Sequence, residues 1–431
     1  MPRSSVYEIT QIGPETTPGT GVPATRRLLG TSIALGIKSE STTARAKGSR
    51  MKTTGVQNKE WSEAPIEMEV GQYNDLSYVL AGLLGPPSIT VPSASVNLHR
   101  WDPLNYTALN PKTFTVESGS FVRAMEASYG LITGFGMEFT RESVSGSGSM
   151  IGQKVTDGST LTVGANEVQT LTASGTVSGG TYTLSFLGEV TSPLAYNAAN
   201  ATILAALNAL PNVVSGDIAL GGGTLPTTPV TFTFGQQYGS SNVPLIVVDG
   251  ALLTGASPAY TMTQTTPGAV LTEVPEEPIA GSHWDFYLDT SAAGLGGTKL
   301  TACYSAGWNI DGMYGPNWVG NTSNAGWRDH TDLPPDTEVK FKVEANATGM
   351  GFLTQLRSGD SVFPRIKCTG PALGSSTYLA QFDFCMKLLD ISELADEDGV
   401  YAVEYTGEIF YDRTWSQYMG VSVQNSVTAI S

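Results

Sequence analysis

The sequence predicts a mainly β protein: two related β-rich units, each with a short flanking helix, interrupted by a small β-rich insert with one helix. Three observations predict it. Gly 49 and Pro 24 in 431 residues, with abundant Thr, Ser, Val and Tyr, favour strands and turns over helices. Lys and Arg are absent from Val155 to Thr298, although the chain holds 23 of them, and so abrupt a change in composition marks a module boundary. The segments on either side repeat one order of elements at an offset of about 275 residues. The expected layout is residues 1–160, a first unit with an N-terminal arm; 161–272, the insert; and 273–431, a second unit with a C-terminal arm.

In the first unit, Thr17–Pro23 is turn-rich and reads as an extended arm. Ile33, Leu35 and Ile37 alternate as a half-buried strand, and the polar, basic stretch Lys38–Lys59 reads as a long loop. Ile66–Val70 alternates again. Asn74 stands where an N-cap belongs, with Leu76, Val79, Leu80 and Leu83 on one helical face and Gly85-Pro86-Pro87 as the stop. Strands follow at Thr113–Val116 and Tyr129–Phe139.

The second unit repeats this order. Ala306, Trp308 and Ile310 alternate, Asp311–Asp336 is irregular, and Val339–Val343 alternates. A short helix with Met350, Leu353 and Leu356 inward ends at Gly359, and strands close the unit at Phe382–Leu388 and Val400–Phe410. In the insert, Val168–Ala173 and Tyr182–Phe186 read as strands joined near Gly179-Gly180. Ala198–Leu210 is an amphipathic helix, and Val230–Phe234, Leu245–Val248 and Tyr260–Met262 are further strands.

The net charge of −16 is uneven: residues 1–154 carry 14 basic and 13 acidic groups, 155–275 none and 6, and 276–431 9 and 20. A protein that grips phosphate backbones needs clustered Lys and Arg; this profile suits a surface past which nucleic acid moves without sticking. Cys303, Cys368 and Cys385 form no CxxC pair and read as small core residues. Met1–Ser5 lacks an apolar signal core, and no apolar run approaches the length of a membrane span.

No stretch carries a catalytic constellation, and no cofactor or metal is implied. His99, His283 and His330 are scattered. Asp396-Glu397-Asp398-Gly399 fails the EF-hand spacing, because Leu394 and Tyr405 fall on its first and last ligand positions. Ser145–Ser149 lacks the Lys of a phosphate loop and reads as flexible. The N-x-S/T triplets at Asn105, Asn200, Asn321 and Asn346 are those a Ser/Thr-rich chain produces by chance.

The two long loops are the candidate contact sites. Lys38–Glu60 carries 6 basic residues, among them Arg45, Lys47, Arg50 and Lys52, against 2 acidic ones. Asp311–Asp336 carries Tyr314, Trp318, Trp327, Asp329 and Asp332. The basic loop could bind nucleic acid, stay solvated, or meet an acidic surface on a neighbouring copy, and the residues leave all three open.

The turn-rich arm, the alternating strand Ile66–Val70 running into the helix Asp75–Leu84 and its Gly85 stop, the stretch Tyr401–Trp415 and the tail Val421–Ile430 together resemble the major tail tube proteins of long-tailed phages. The insert, with Glu167–Leu171, Thr183–Phe186 and Tyr196–Leu210, is similar to a module of virion proteins from phages infecting actinobacteria. The resemblance implies tail-tube-type β-sandwich domains, six to a ring, so that three copies of a duplicated chain would close a pseudo-sixfold ring. If the flanks instead form one larger tube domain, the ring is a hexamer. It also implies stacking through long loops and arms, docking of the two oppositely charged loops, an insert decorating the outside, and DNA ejected through an acidic lumen. The implied partners are other copies, the tape measure and tail terminator proteins, and transiting DNA without specific binding. The implied location is the virion tail, assembled in the host cytoplasm, with no membrane.

Two other functional classes stand beside this one. A virion surface-binding or adhesion protein would act through the insert, with Tyr182, Phe186, Tyr196, Phe232, Phe234, Tyr238 and Tyr260 as its aromatics. An enzyme would need an acid, base or nucleophile cluster that the sequence does not display.

Overall fold

The computed structural model describes residues 8–120, 123–269, 271–320 and 326–430; Met1–Ser5 and Asn321 lie outside them. The chain is mainly β. It divides into two compact units: the residues up to Leu161 together with those from Glu273 onward, and Thr162–Thr272. The flanks, expected as two domains, thus share one unit.

The first flank contains β1 (Ile9–Pro14), β2 (Arg26–Leu28), β3 (Ser32–Ile33), β4 (Gly36–Ala44) and β5 (Thr54–Met68). Then come α1 (Asp75–Leu84), β6 (Ser88–Ser93), β7 (Val96–Trp101), β8 (Phe114–Ser120), β9 (Arg123–Thr140), β10 (Val144–Gly152) and β11 (Lys154–Ser159). Along β5, Ala64, Ile66 and Met68 are buried and Glu63 and Glu67 exposed, the period of a strand covered on one face. α1 is buried all round and ends at Gly85, whose φ of 90° suits glycine and whose N–H reaches the Ala81 carbonyl at 3.0 Å.

Three local expectations change here. Asn74 does not cap α1: its backbone is already helical, and its side chain donates to the Pro275 carbonyl (2.7 Å) and accepts from the Ser426 N–H (3.3 Å). Thr17–Pro23 is not an extended arm but the turn between the paired strands β1 and β2. Glu15 ties it down, its buried carboxylate accepting from Gly19 N–H (2.8 Å), Thr113 Oγ1 (2.9 Å), Thr115 Oγ1 (3.0 Å) and Tyr129 N–H (2.8 Å). Ser145–Ser149 is not flexible, because it lies inside β10 with a paired strand on each side.

The insert contains β12 (Val168–Phe186), β13 (Glu189–Val190), β14 (Leu194–Ala195), α2 (Asn200–Asn208), β15 (Ile218–Gly222), β16 (Val230–Phe234), β17 (Val247–Asp249) and β18 (Leu253–Thr266). It has its own core, with Leu171, Leu184, Phe186, Ile203, Leu207, Phe232 and Phe234 fully buried. The expected hairpin at Gly179-Gly180 is instead one long strand. β12 pairs with β18 along most of its length, bending through register shifts near Gly175 and Gly179, where the positive φ of Gly175 and Gly180 accommodates the kinks.

The second flank contains β19 (Thr272–Glu273), β20 (Trp284–Asp289), β21 (Cys303–Asp311), β22 (Tyr314–Asn317), β23 (Asp329–Asp332) and β24 (Asp336–Glu344). After α3 (Ala347–Gly351) and α4 (Leu353–Ser358) come β25 (Ser361–Leu373), β26 (Ser376–Phe384), β27 (Met386–Ile391), β28 (Ala395–Glu397), β29 (Val400–Ile409) and β30 (Met419–Asn425). Asn346 caps α3 by accepting from the N–H groups of Thr348 and Gly349. The tail from Val421 is no arm: β30 sits between β26 and β7, with Val421 and Val423 buried.

Strand pairing in the flanking unit follows one plan twice. A long antiparallel sheet runs β4–β5–β10–β9–β21–β24–β29–β27. Its first four strands pair as β4, β5, β10 and β9, and its second four, β21, β24, β29 and β27, take the corresponding strands of the other flank in the same order. The outer strands repeat as well, β1–β8–β9–β11 in one flank and β20–β25–β26–β30 in the other. Even an irregularity recurs. β9 passes over Thr133 between partners Ile132 and Gly134, and β27 passes over Leu389 between partners Leu388 and Asp390.

Candidate functional surface

The long sheet turns one face to the core and leaves the other open. On the core face Phe135, Trp308, Phe341 and Tyr405 are buried, Phe341 and Tyr405 stacking at 5.3 Å and Trp308 lying 5.1 Å from Phe382. The open face is read off the register. Glu67, Ser147, Gly136, Asn309 and Glu338 form one cross-strand row, and Ser145, Glu138, Gly307, Lys340 and Thr406 the next. With Glu63, Glu404 and Glu408 on the same side, glutamate dominates.

Of the lysines on this face, Lys340 and Lys342 are each engaged by a carboxylate. Lys340 meets Glu138 at 2.8 Å, which holds its ammonium above the usual range, and Lys342 bonds Glu397. The Trp61 indole N–H, with help from Lys38, holds the Glu63 carboxyl below its ordinary range. The middle of the face is smooth because it must be: a Cβ on Gly136 would come within 2.5 Å of the Trp308 carbonyl. The result is a low-relief, net-negative sheet face that repels phosphate.

The sheet ends in two strand edges, β4 on one side and the β27 end on the other. Beyond Gly36 the β4–β5 pair leaves the body as a hairpin, with β4 and the first residues of β5 exposed on both faces. The expected loop Lys38–Lys59 is therefore mostly paired strand, held by Lys59–Glu40 (2.9 Å) and Asn58–Thr42 (2.6 Å). Its alternation carries no apolar signal because neither face is covered. Arg45, Lys47, Arg50 and Lys52 are brought together at or beside its tip, all exposed.

The second loop behaves differently. Tyr314 and Trp327 are buried within their own unit: the Tyr314 hydroxyl donates to the Leu83 carbonyl (2.6 Å), and Trp327 stacks on Tyr129 at 4.2 Å and donates to the Gly152 carbonyl (3.3 Å). Neither is free to meet another copy. Trp318 is half-buried, edge-on to Trp61 at 5.8 Å and under the Lys59 ammonium at 5.2 Å. Asp329 is bound by Arg328 (2.7 Å) and Asn317 (2.5 Å), while Asp332 is exposed.

The other candidates take structural places. Asp396–Gly399 is the β28–β29 turn, with Gly399 N–H on Asp396 Oδ1 at 3.1 Å and positive φ at Asp398 and Gly399. His99 is buried, its Nε2 2.8 Å from the Val427 carbonyl. Cys368 and Cys385 are buried thiols and Cys303 is half-buried, and burial pushes Cys303 up to about 12 and Cys385 to about 11. Among the described residues no His/Cys/Asp/Glu group is arranged to hold a metal, and no helix is long and apolar enough to cross a membrane.

Sequence reasoning missed the open-face glutamates and both sheet edges. The signal for the first was present in the Glu-x-Glu alternation around Ile66, since partners of buried strand residues must face outward. No protein-family model matches the chain, and no curated protein matches it.

Proposed function

We propose that the chain is a structural subunit that closes into rings and stacks them into the tail tube of a long-tailed phage, a conduit for DNA. One observation carries the reading: a single sheet passes through both flanks with the same four-strand order twice, and each end strand leaves an open stretch of edge, from Leu35 into β4 and beyond the β25-paired Met386–Lys387 on β27. Such a sheet invites closure with further copies, because exposed edges are otherwise an aggregation hazard. The repeated order, with the bulge at Thr133 and again at Leu389, supports a tail-tube-type sandwich duplicated in one chain.

On this reading three chains supply six units, and the acidic open face lines the lumen, where like charge lets DNA slide. The β4–β5 hairpin serves as the stacking contact, since a two-stranded ribbon uncovered on both faces is marginal in water without a partner. Tape measure and terminator proteins are the further partners, and the virion tail, assembled in the host cytoplasm, is the location. Sedimentation of the purified chain tests the copy number. A discrete three-chain particle supports the reading; a six-chain ring would mean the flanks act as one larger unit; a monomer at every concentration would overturn it.

A further inference from the structure

We infer that copies of this chain join edge to edge with Ile391 of one copy opposite Ile37 of the next, in the register that β9 and β21 already use inside the chain. The inference rests on the ring-forming reading and names the contact that closes the ring. Inside the chain, Phe135 pairs with Ile310, Met137 with Trp308 and Phe139 with Ala306. The repeated pairing converts these positions into their counterparts. Ile33 faces Ile66 as Ala306 faces Phe341, and Gly36 faces Glu63 as Asn309 faces Glu338, so Ile37 stands for Ile310 and Leu35 for Trp308. Gly148 joins Ile66 to Phe135 as Tyr405 joins Phe341 to Ile391, so Ile391 stands for Phe135. One outer edge of the sheet therefore offers the β9 half of a second junction, and the other edge offers the β21 half.

The backbone agrees. Ala34 N–H is used toward β5, on the Pro65 carbonyl at 3.3 Å, so strand alternation aims the amides of Leu35 and Ile37 outward. Ser392 N–H is used toward β29, on the Glu404 carbonyl at 2.8 Å, so Ile391 likewise points outward, its N–H resting only on the exposed side chain of its neighbour Asp390 at 2.8 Å. The Ile33 N–H is already taken by Thr10 Oγ1 at 3.2 Å, which confines the free edge to Leu35 and beyond. Between Ile391 and Ala395 the pairing with β29 shifts by one residue; taking Glu393 into that bulge brings Leu394 opposite Leu35.

Exposure points the same way. Ile37 is 53% exposed where its counterpart Ile310 is 2%, and Leu394 is 60% exposed. Both are apolar residues on uncovered edges, and the proposed register places them in the junction.

The test is a cysteine pair in the full chain, Ile37→Cys with Ile391→Cys, oxidised under assembling conditions. Opposed residues of a hydrogen-bonded antiparallel pair have Cα atoms about 5.5 Å apart, within disulfide reach. The expected result is a covalent ladder of linked chains. Either single variant, and Ile37→Cys with Leu389→Cys, about 7 Å along the strand, should give none. A second variant, Ile37→Pro, removes only an outward N–H and should abolish assembly while leaving the melting temperature of the folded chain unchanged. Rings that form without in-register linkage, or that survive Ile37→Pro, overturn the register and leave the ring reading standing. Failure of the unmodified chain to assemble overturns both.

Discussion

Met137 on β9 lies directly opposite Trp308 on β21, and both are buried. The pair joins residues from either side of the insert. It makes the two flanks one cooperative unit, because the sheet and its core continue through it without a seam.

Trp308→Ala is expected to destabilise the flanking unit by about 3–5 kcal/mol, the range for removing a large buried aromatic. The ring touches Phe135, Phe382 and Phe384, drawn from both flanks. Urea unfolding followed by tryptophan fluorescence, which reports on the flanking unit alone because the insert holds no Trp, should show one transition moved to lower denaturant.

Glu15→Gln is expected to cost about 1–3 kcal/mol, because the amide puts an N–H among donors that need an acceptor. The cost should appear first as proteolytic cutting between residues 16 and 25. That turn is held by the Glu15 contacts to Gly19, Thr113, Thr115 and Tyr129.

Burial pushes the Asp75 carboxyl up to about 6 from 3.8, against the opposing hydrogen bonds from Thr31 and Gly30 and with nearby Glu276 adding to the rise. A raised pKa in the folded state means the stabilisation is fully present below about pH 4 and is lost as pH rises through about 6. The difference is ~3 kcal/mol. Asp75→Asn should remove this part of the pH dependence, so the stability gap between variant and wild type should change across pH 4–7. A constant gap would show that Asp75 does not titrate there.

Replacing Glu138, Glu338 and Glu408 by Lys inverts the charge of the open face. The triple variant is expected to bind duplex DNA in low salt, with affinity falling steeply as salt rises, where the wild-type chain binds none. Fluorescence anisotropy at several salt concentrations reads this out.

The insert's separate core, built on Leu171, Phe186, Ile203 and Phe232, predicts that residues 162–272 expressed alone fold and melt cooperatively. A fragment without near-ultraviolet signal or a melting transition would contradict that.

How much was legible in the sequence follows from which faces are covered. Strands with one buried face, such as those around Ile66, Phe135 and Phe341, announce themselves by alternation, and so does α2 through Ile203 and Leu207. The β4–β5 hairpin carries the sequence signal of a loop because nothing covers Thr42, Thr43 or Val56. β12 carries the signal of two strands because Gly179 and Gly180 look like a turn, whereas here they let a long strand bend. Trp327 looked like a surface anchor, since nothing local reveals that Tyr129, some two hundred residues earlier, supplies its stacking partner. Cross-strand rows such as Glu138–Gly307–Lys340 depend on register, which only pairing across the insert defines.

End-on electron microscopy of the purified chain at high concentration tests the central claim most directly. The account predicts closed rings, or tubes seen down their axis, with sixfold-looking averages built from three chains around a hole wide enough for duplex DNA. Compact single particles without a hole, unchanged as concentration rises, would contradict it.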